Sequence, residues 1–235
     1  MIKLIQKATL ITLIICCSVF IAKAQLGYDY SRYDAGVAIG FNKPYADVKA
    51  PTTTETVHFN FTFNQTPFTN FVFEAQLGRL AGSDSLIAPK GRQFTSTLTS
   101  FVFRGQLQFG EFLDYSNSPF FNSIKNLYVS TGIGYEFTHI TMIQRFSNNG
   151  VVTGGENNSQ EPFIPFRIGY EFKLFNKYQQ PSVKFDLAYE FNQVFGDGLD
   201  GFASGQKNDA YGQFCIGVKF AIGGNVTSYR KQITY

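Results

Sequence analysis

At 235 residues the chain has room for one domain of ordinary size, and no linker or low-complexity run divides it. The formal charge is only +3, with 16% of residues charged, which excludes the strongly basic character of a nucleic-acid binder. Of three cysteines, two are adjacent at Cys16 and Cys17, so a disulfide framework is excluded as well.

Lys3 and Lys7, an apolar stretch from Ala8 to Ile21, and Ala22-Lys23-Ala24 before Gln25 have the order of a secretory signal. The stretch is short of the roughly 20 residues that span a bilayer as a helix, which favours cleavage after Ala24 over a membrane anchor. Residues 1–24 are therefore expected to be a signal peptide. Their loss takes three lysines and no acid, leaving a formally neutral chain with Cys215 as its one thiol.

From Tyr33 onward the apolar period is two residues. It is clearest in Val57-His58-Phe59-Asn60-Phe61-Thr62-Phe63-Asn64, where every odd position is apolar and every even one polar. The pattern predicts strands over 33–42, 55–64, 70–79, 95–109, 127–139, 162–174, 182–193 and 209–222. Eight strands of about ten residues or more exceed the usual five or six of soluble sheets and match the length that crosses a hydrocarbon core. The expected fold is all-β, a closed antiparallel up-and-down transmembrane β-barrel over 25–222, followed by a short periplasmic tail, 223–235.

One face of these strands carries no charge and is rich in Phe: Phe59, Phe61, Phe63, Phe71, Phe73, Phe101, Phe103, Phe166, Phe185, Phe214 and Phe220. The other mixes glycine with His58, Asn60, Glu74, Gln76, Arg104, Glu136, Arg167, Glu171, Lys173, Lys184, Asp186, Glu190 and Lys219. An eight-stranded barrel has an interior only just wide enough for its side chains, so the Phe face must be the outer, lipid-facing one. A soluble lipocalin-like barrel needs the reverse. Closure leaves no free edge, as a bilayer demands. With Trp absent, Tyr33, Tyr135, Tyr170, Tyr189 and Tyr211 are the candidates for an interfacial girdle.

With both termini on the periplasmic side, the long polar loops near 43–54, 80–94, 140–161 and 194–208 face outward from the cell. The connections at Gln65-Thr66-Pro67 and 176–181 are tight turns. The middle periplasmic connection, 110–126, is longer, and Ser118-Pro119 heads a predicted short interfacial helix. The last strand, Gly217-Val218-Lys219-Phe220-Ala221-Ile222, resembles the C-terminal signal read by outer-membrane assembly machinery. Together with Gly-rich strands such as Thr131-Gly132-Ile133-Gly134-Tyr135, it makes residues 33–222 resemble the small outer-membrane β-barrel family of the outer-membrane protein A barrel type, here without a peptidoglycan-binding domain.

Five bases and five acids on the inner face suggest a salt-bridged plug, since enclosed charges are costly unless paired. Neighbouring strands suggest Glu74 with Arg104, Glu136 with Arg167, Glu171 with Lys184, and Asp186 with Lys219, with Glu190 in the same network. No metal, redox or nucleotide motif occurs, and no cofactor is expected. Gly196-Asp197-Gly198-Leu199-Asp200-Gly201 lacks EF-hand spacing and reads as a flexible loop tip. His139-Ile140-Thr141 is set near the outer rim, where lipid A deacylases carry a His-x-Ser, but Thr141 replaces the serine and no partner acid is identifiable. The expected role is non-enzymatic, in envelope integrity or loop-mediated contact at the cell surface. A narrow gated channel and a membrane-embedded lipid A hydrolase are the alternatives. The expected partners are outer-membrane lipid and the assembly machinery, with the external ligand open.

Overall fold

The computed structural model describes residues 29–46, 50–84, 91–115, 118–146, 150, 152–177, 180–202 and 208–228. The expected signal peptide lies outside them. Eight long strands run antiparallel: β1 (Asp29–Tyr45), β3 (Thr54–Asn64), β4 (Thr69–Ser83), β5 (Gln93–Gln108), β6 (Leu127–Gln144), β7 (Asn158–Phe175), β8 (Pro181–Val194) and β9 (Ala210–Ser228). A three-residue strand, β2 (Ala50–Thr52), lies in the first long loop and pairs back onto the end of β4. Each long strand bonds to its neighbours in the chain, and β9 bonds to β1, so the sheet closes as an up-and-down barrel.

The closure is staggered. From Tyr128 the pairing passes through Gly169, Ala188, Cys215, Gly40, Thr56, Gly78 and Leu98 and returns to β6 at Thr138, ten residues further along. That offset tilts every strand steeply against the barrel axis. The row itself is made mostly of small residues, and they make room for larger inward neighbours. A Cβ on Gly40 would come within 2.6 Å of His58 Nε2, and one on Gly169 within 2.6 Å of the Tyr128 ring.

Most strands outrun their predicted ends. β6 continues five residues past 139 and β7 begins four before 162, so these two rise well beyond the apolar belt at the long-loop end. β9 reaches Ser228 instead of 222, because Val226, Thr227 and Ser228 still pair with Ser31, Tyr30 and Asp29. Part of the segment taken as a free tail is therefore barrel wall.

The pleat sorts the side chains cleanly. Ten of the eleven Phe residues named for the outer face are exposed, while Phe63 is half-buried between the Tyr33 and Phe71 rings. Glu74, Arg104, Glu136, Arg167, Glu171, Lys173, Lys184, Asp186, Glu190 and Lys219 are all buried. A soluble protein buries its oil and exposes its charge. This barrel does the opposite, which is the arrangement a hydrocarbon surround requires.

Two parts of the inner face differ from the sequence reading. Its upper end, towards the long loops, is apolar: Leu80, Phe94, Leu98, Val102, Phe163, Val194 and Tyr211 form one buried cluster. Tyr211 thus belongs to the lumen and not to an outer girdle. Leu199 and Phe202 of the fourth long loop fold into the same cluster, fully buried. Residues 196–201, expected to be a flexible tip, are therefore a folded cover, with Gly201 at φ 73° making the turn.

Candidate functional site: the lumen

Above the turns the lumen holds a continuous polar network. Glu74 on β4 sits at its centre, accepting from Arg104 Nη2 at 2.8 Å and facing His58 Nδ1 at 3.0 Å. Gln76 Nε2 donates to the same carboxylate at 2.9 Å and to Glu190 at 3.2 Å. Arg167 on β7 reaches three acids: Asp186 at 2.9 Å, Glu190 at 3.4 Å and Glu74 at 3.6 Å. Arg104 also approaches Glu190, at 3.5 Å. Three of these contacts, Gln76 with Glu190, Arg167 with Glu74 and Arg104 with Glu190, join strands that do not adjoin, so the network reaches across the bore as well as lining it.

A second layer lies nearer the turn end. Lys219 Nζ donates to Glu171 at 2.6 Å and stands 3.9 Å from Asp186. Gln106 and Gln108 donate to the two oxygens of Glu171, at 3.2 and 2.6 Å. Lys184 pairs with Asp34 at 2.6 Å, and Asn64 donates to the same carboxylate at 2.8 Å. The Tyr128 hydroxyl joins the layers, donating to Asp186 at 2.7 Å and accepting from Arg167 Nε at 3.1 Å.

Below this layer the turn end is occupied by aromatic rings. Phe68 meets Tyr115 edge to face at 5.6 Å, and Tyr30 completes the cluster. Lys173 lies 5.0 Å over the Phe68 ring and donates to the Pro67 carbonyl at 2.8 Å. Gly110 permits this packing, since a Cβ there would fall 2.3 Å from the same ring.

Of the four ion pairs expected, Glu74 with Arg104 is direct and Asp186 with Lys219 is long. The other two differ. Glu171 takes Lys219 and its glutamines in place of Lys184, which goes to Asp34. Glu136 does not meet Arg167: its cross-strand partner is Glu161, whereas Arg167 lies opposite Ser130, six residues lower on β6. The Glu136 carboxylate is buried with the Tyr211 hydroxyl beside it as its side-chain hydrogen-bond partner, and among the described residues no base is within ion-pair distance of it.

Asp34, Asn64, Gln108 and Tyr128 are network members the sequence reading left out. Asp34 has the parity of Gly36 and Gly40 on β1, so its inward aim was readable. Tyr128, by contrast, has no feature that separates it from an outward tyrosine except its place two residues before Ser130.

The residues weighed for chemistry lie on the outer wall or are buried within the barrel. His139 is on the outer wall, where its imidazole bonds the Asn158 side chain, and the Thr141 hydroxyl donates to the Thr95 carbonyl at 3.0 Å. Among the described residues no acid orients that histidine. Cys215 is fully buried, packed with Tyr128 and Ala188.

No family model and no curated protein matches the sequence. Among solved structures, the chain is similar to Neisserial surface protein A, with 13% identity and a TM-score of 0.48 over 82% of this chain and 98% of that one. It is also similar to Ail, the attachment invasion locus protein of Yersinia pestis, with 9% identity and a TM-score of 0.45 over 81% and 98% of the two chains. The outer membrane protein OprG from Pseudomonas aeruginosa aligns with 9% identity, a TM-score of 0.35 and coverage of 84% and 99%.

Proposed function

We propose that the chain is a non-enzymatic integral outer-membrane β-barrel with a plugged lumen, serving envelope integrity or loop-mediated contact at the cell surface. The observation that carries this reading is the filling of the bore. Charged side chains interlock across its middle, an apolar layer with Leu199 and Phe202 covers one end, and Phe68 with Tyr115 covers the other. A pathway for ions would need water where those side chains stand. Lipid surrounds the Phe belt, and the long β9, which closes the barrel, is the strand presented to assembly machinery. His139 bonds the Asn158 side chain and the Thr141 hydroxyl donates to the Thr95 carbonyl, partners that favour a non-enzymatic role for the pair.

The test is refolding of the purified chain into a planar bilayer, with heat-modifiable gel migration as the sign that the barrel formed. A folded barrel is expected to give a flat current trace. Steady ohmic steps from the folded form would replace the plugged reading with a channel.

A further inference from the structure

We infer that the connection between β5 and β6 is a membrane anchor, with the short helix α1 (Pro119–Ile124) lying in the phospholipid interface of the periplasm-facing leaflet. This inference rests on the outer-membrane reading of the barrel and adds a lipid contact made outside the wall.

The connection has two chemically distinct sides. Tyr115, Asn122 and Lys125 are buried, the first packed on Phe68 at the lumen mouth. Phe112 and Phe120 point the other way at 70% and 66% exposure, among the most exposed large apolar side chains of the described residues, and Phe121 is exposed beside them with its ring 5.8 Å from that of Phe120. The helix is well formed for its length: Ser118 caps it, accepting from the Phe121 amide, and Pro119 occupies its first turn.

What covers those rings follows from where the helix is tied. Tyr170 belongs to the outward row of β7, between Ile168 and Phe172, and its hydroxyl donates to the Ser123 carbonyl at 2.6 Å. The end of α1 is thus moored on the outer wall, at the margin of the apolar belt, and is not hung beneath the bore. The Phe120 and Phe121 rings continue the belt laterally, at the level where headgroups meet acyl chains. An amphipathic segment in that position buries its apolar side in the boundary region of the leaflet. Phenylalanines fill here the anchoring place that tryptophan commonly takes, in a chain that has none.

The lack of tryptophan makes the test direct. Three full-length variants, Phe120→Trp on α1, Phe103→Trp on the belt and Phe146→Trp at the long-loop end, are refolded into phosphatidylcholine vesicles with and without bromine on the acyl chains near the carbonyls. Phe120→Trp is expected to emit blue-shifted light and to lose emission to bromine as Phe103→Trp does, while Phe146→Trp keeps its emission. Quenching of Phe103→Trp with none of Phe120→Trp overturns the anchor and leaves the barrel in lipid intact. A blue-shifted but unquenched Phe120→Trp means a protein partner covers the helix, and this too overturns the inference. No quenching of either means the barrel reading itself has failed, and the anchor with it.

Discussion

Arg167 touches three carboxylates from β4 and β8, and removing it would leave Glu74 and Glu190 to Arg104 alone and Asp186 to the more distant Lys219. Breaking one side of a buried ionic cluster costs about 3–5 kcal/mol, so Arg167→Met is expected to lower the urea midpoint of the folded barrel sharply. Glu136 makes the opposite prediction. It faces Glu161 across the strand pair and has no base to lose, so Glu136→Gln removes a like-charge contact and is expected to leave the midpoint unchanged or raise it. The same substitution at Glu74, which faces Arg104, Arg167 and His58, is expected to lower it; equal effects at Glu74 and Glu136 would refute the distinction. The difference between these two glutamates was not legible from residue type. Strand alternation shows that both point inward, because parity alone decides the face. Which base each one meets depends on the ten-residue stagger, and that is set by register around the whole circle.

The connection over 109–126 couples its own packing to pH through Lys125. Burial pushes the Lys125 ammonium down from an ordinary 10.5 to about 8, with the Tyr115 ring 4.9 Å from its Nζ. Between about pH 8 and 10.5 the unfolded segment binds the proton and the folded one has released it, so stability rises with pH across that window and is flat below it. Urea midpoints measured from pH 7 to 11 should show the rise in the wild type and a smaller one in Lys125→Met. A wild-type curve that falls over this window would contradict the burial of the amine. The element scale is also where the sequence was most readable. Ser118-Pro119 announced α1 because a cap and an imino acid have few other uses together, and Val57 to Asn64 announced β3 because lipid accepts no polar side chain on the outer face. Strand ends were less readable. Beyond the belt β6 and β7 keep pairing without an apolar face to display, so Thr141 to Gln144 and Asn158 to Glu161 carry no alternating signal.

The inner face of the barrel carries layers of different chemistry, and their order was hidden from the sequence. Leu80, Leu98 and Phe163 stand on the inward parity among polar residues, and only the tilt brings them to one level with Leu199 and Phe202 from a loop that looked too glycine-rich to fold. The layers make separate predictions. Leu199→Ser with Phe202→Ser removes the cover's apolar grip, at a cost of about 2–5 kcal/mol per large side chain lost from a packed cluster. Water would then enter the upper lumen. It would stop at the layer of Arg104, Glu74, Arg167 and Glu190, whose contacts cross the bore and do not depend on the loop. The double variant is therefore expected to unfold at lower urea and yet to hold a flat trace in a planar bilayer. A sustained current from it would mean that the loop is the seal and that the ionic layer below is permeable, which would convert the barrel from a plugged pillar into a lidded pore.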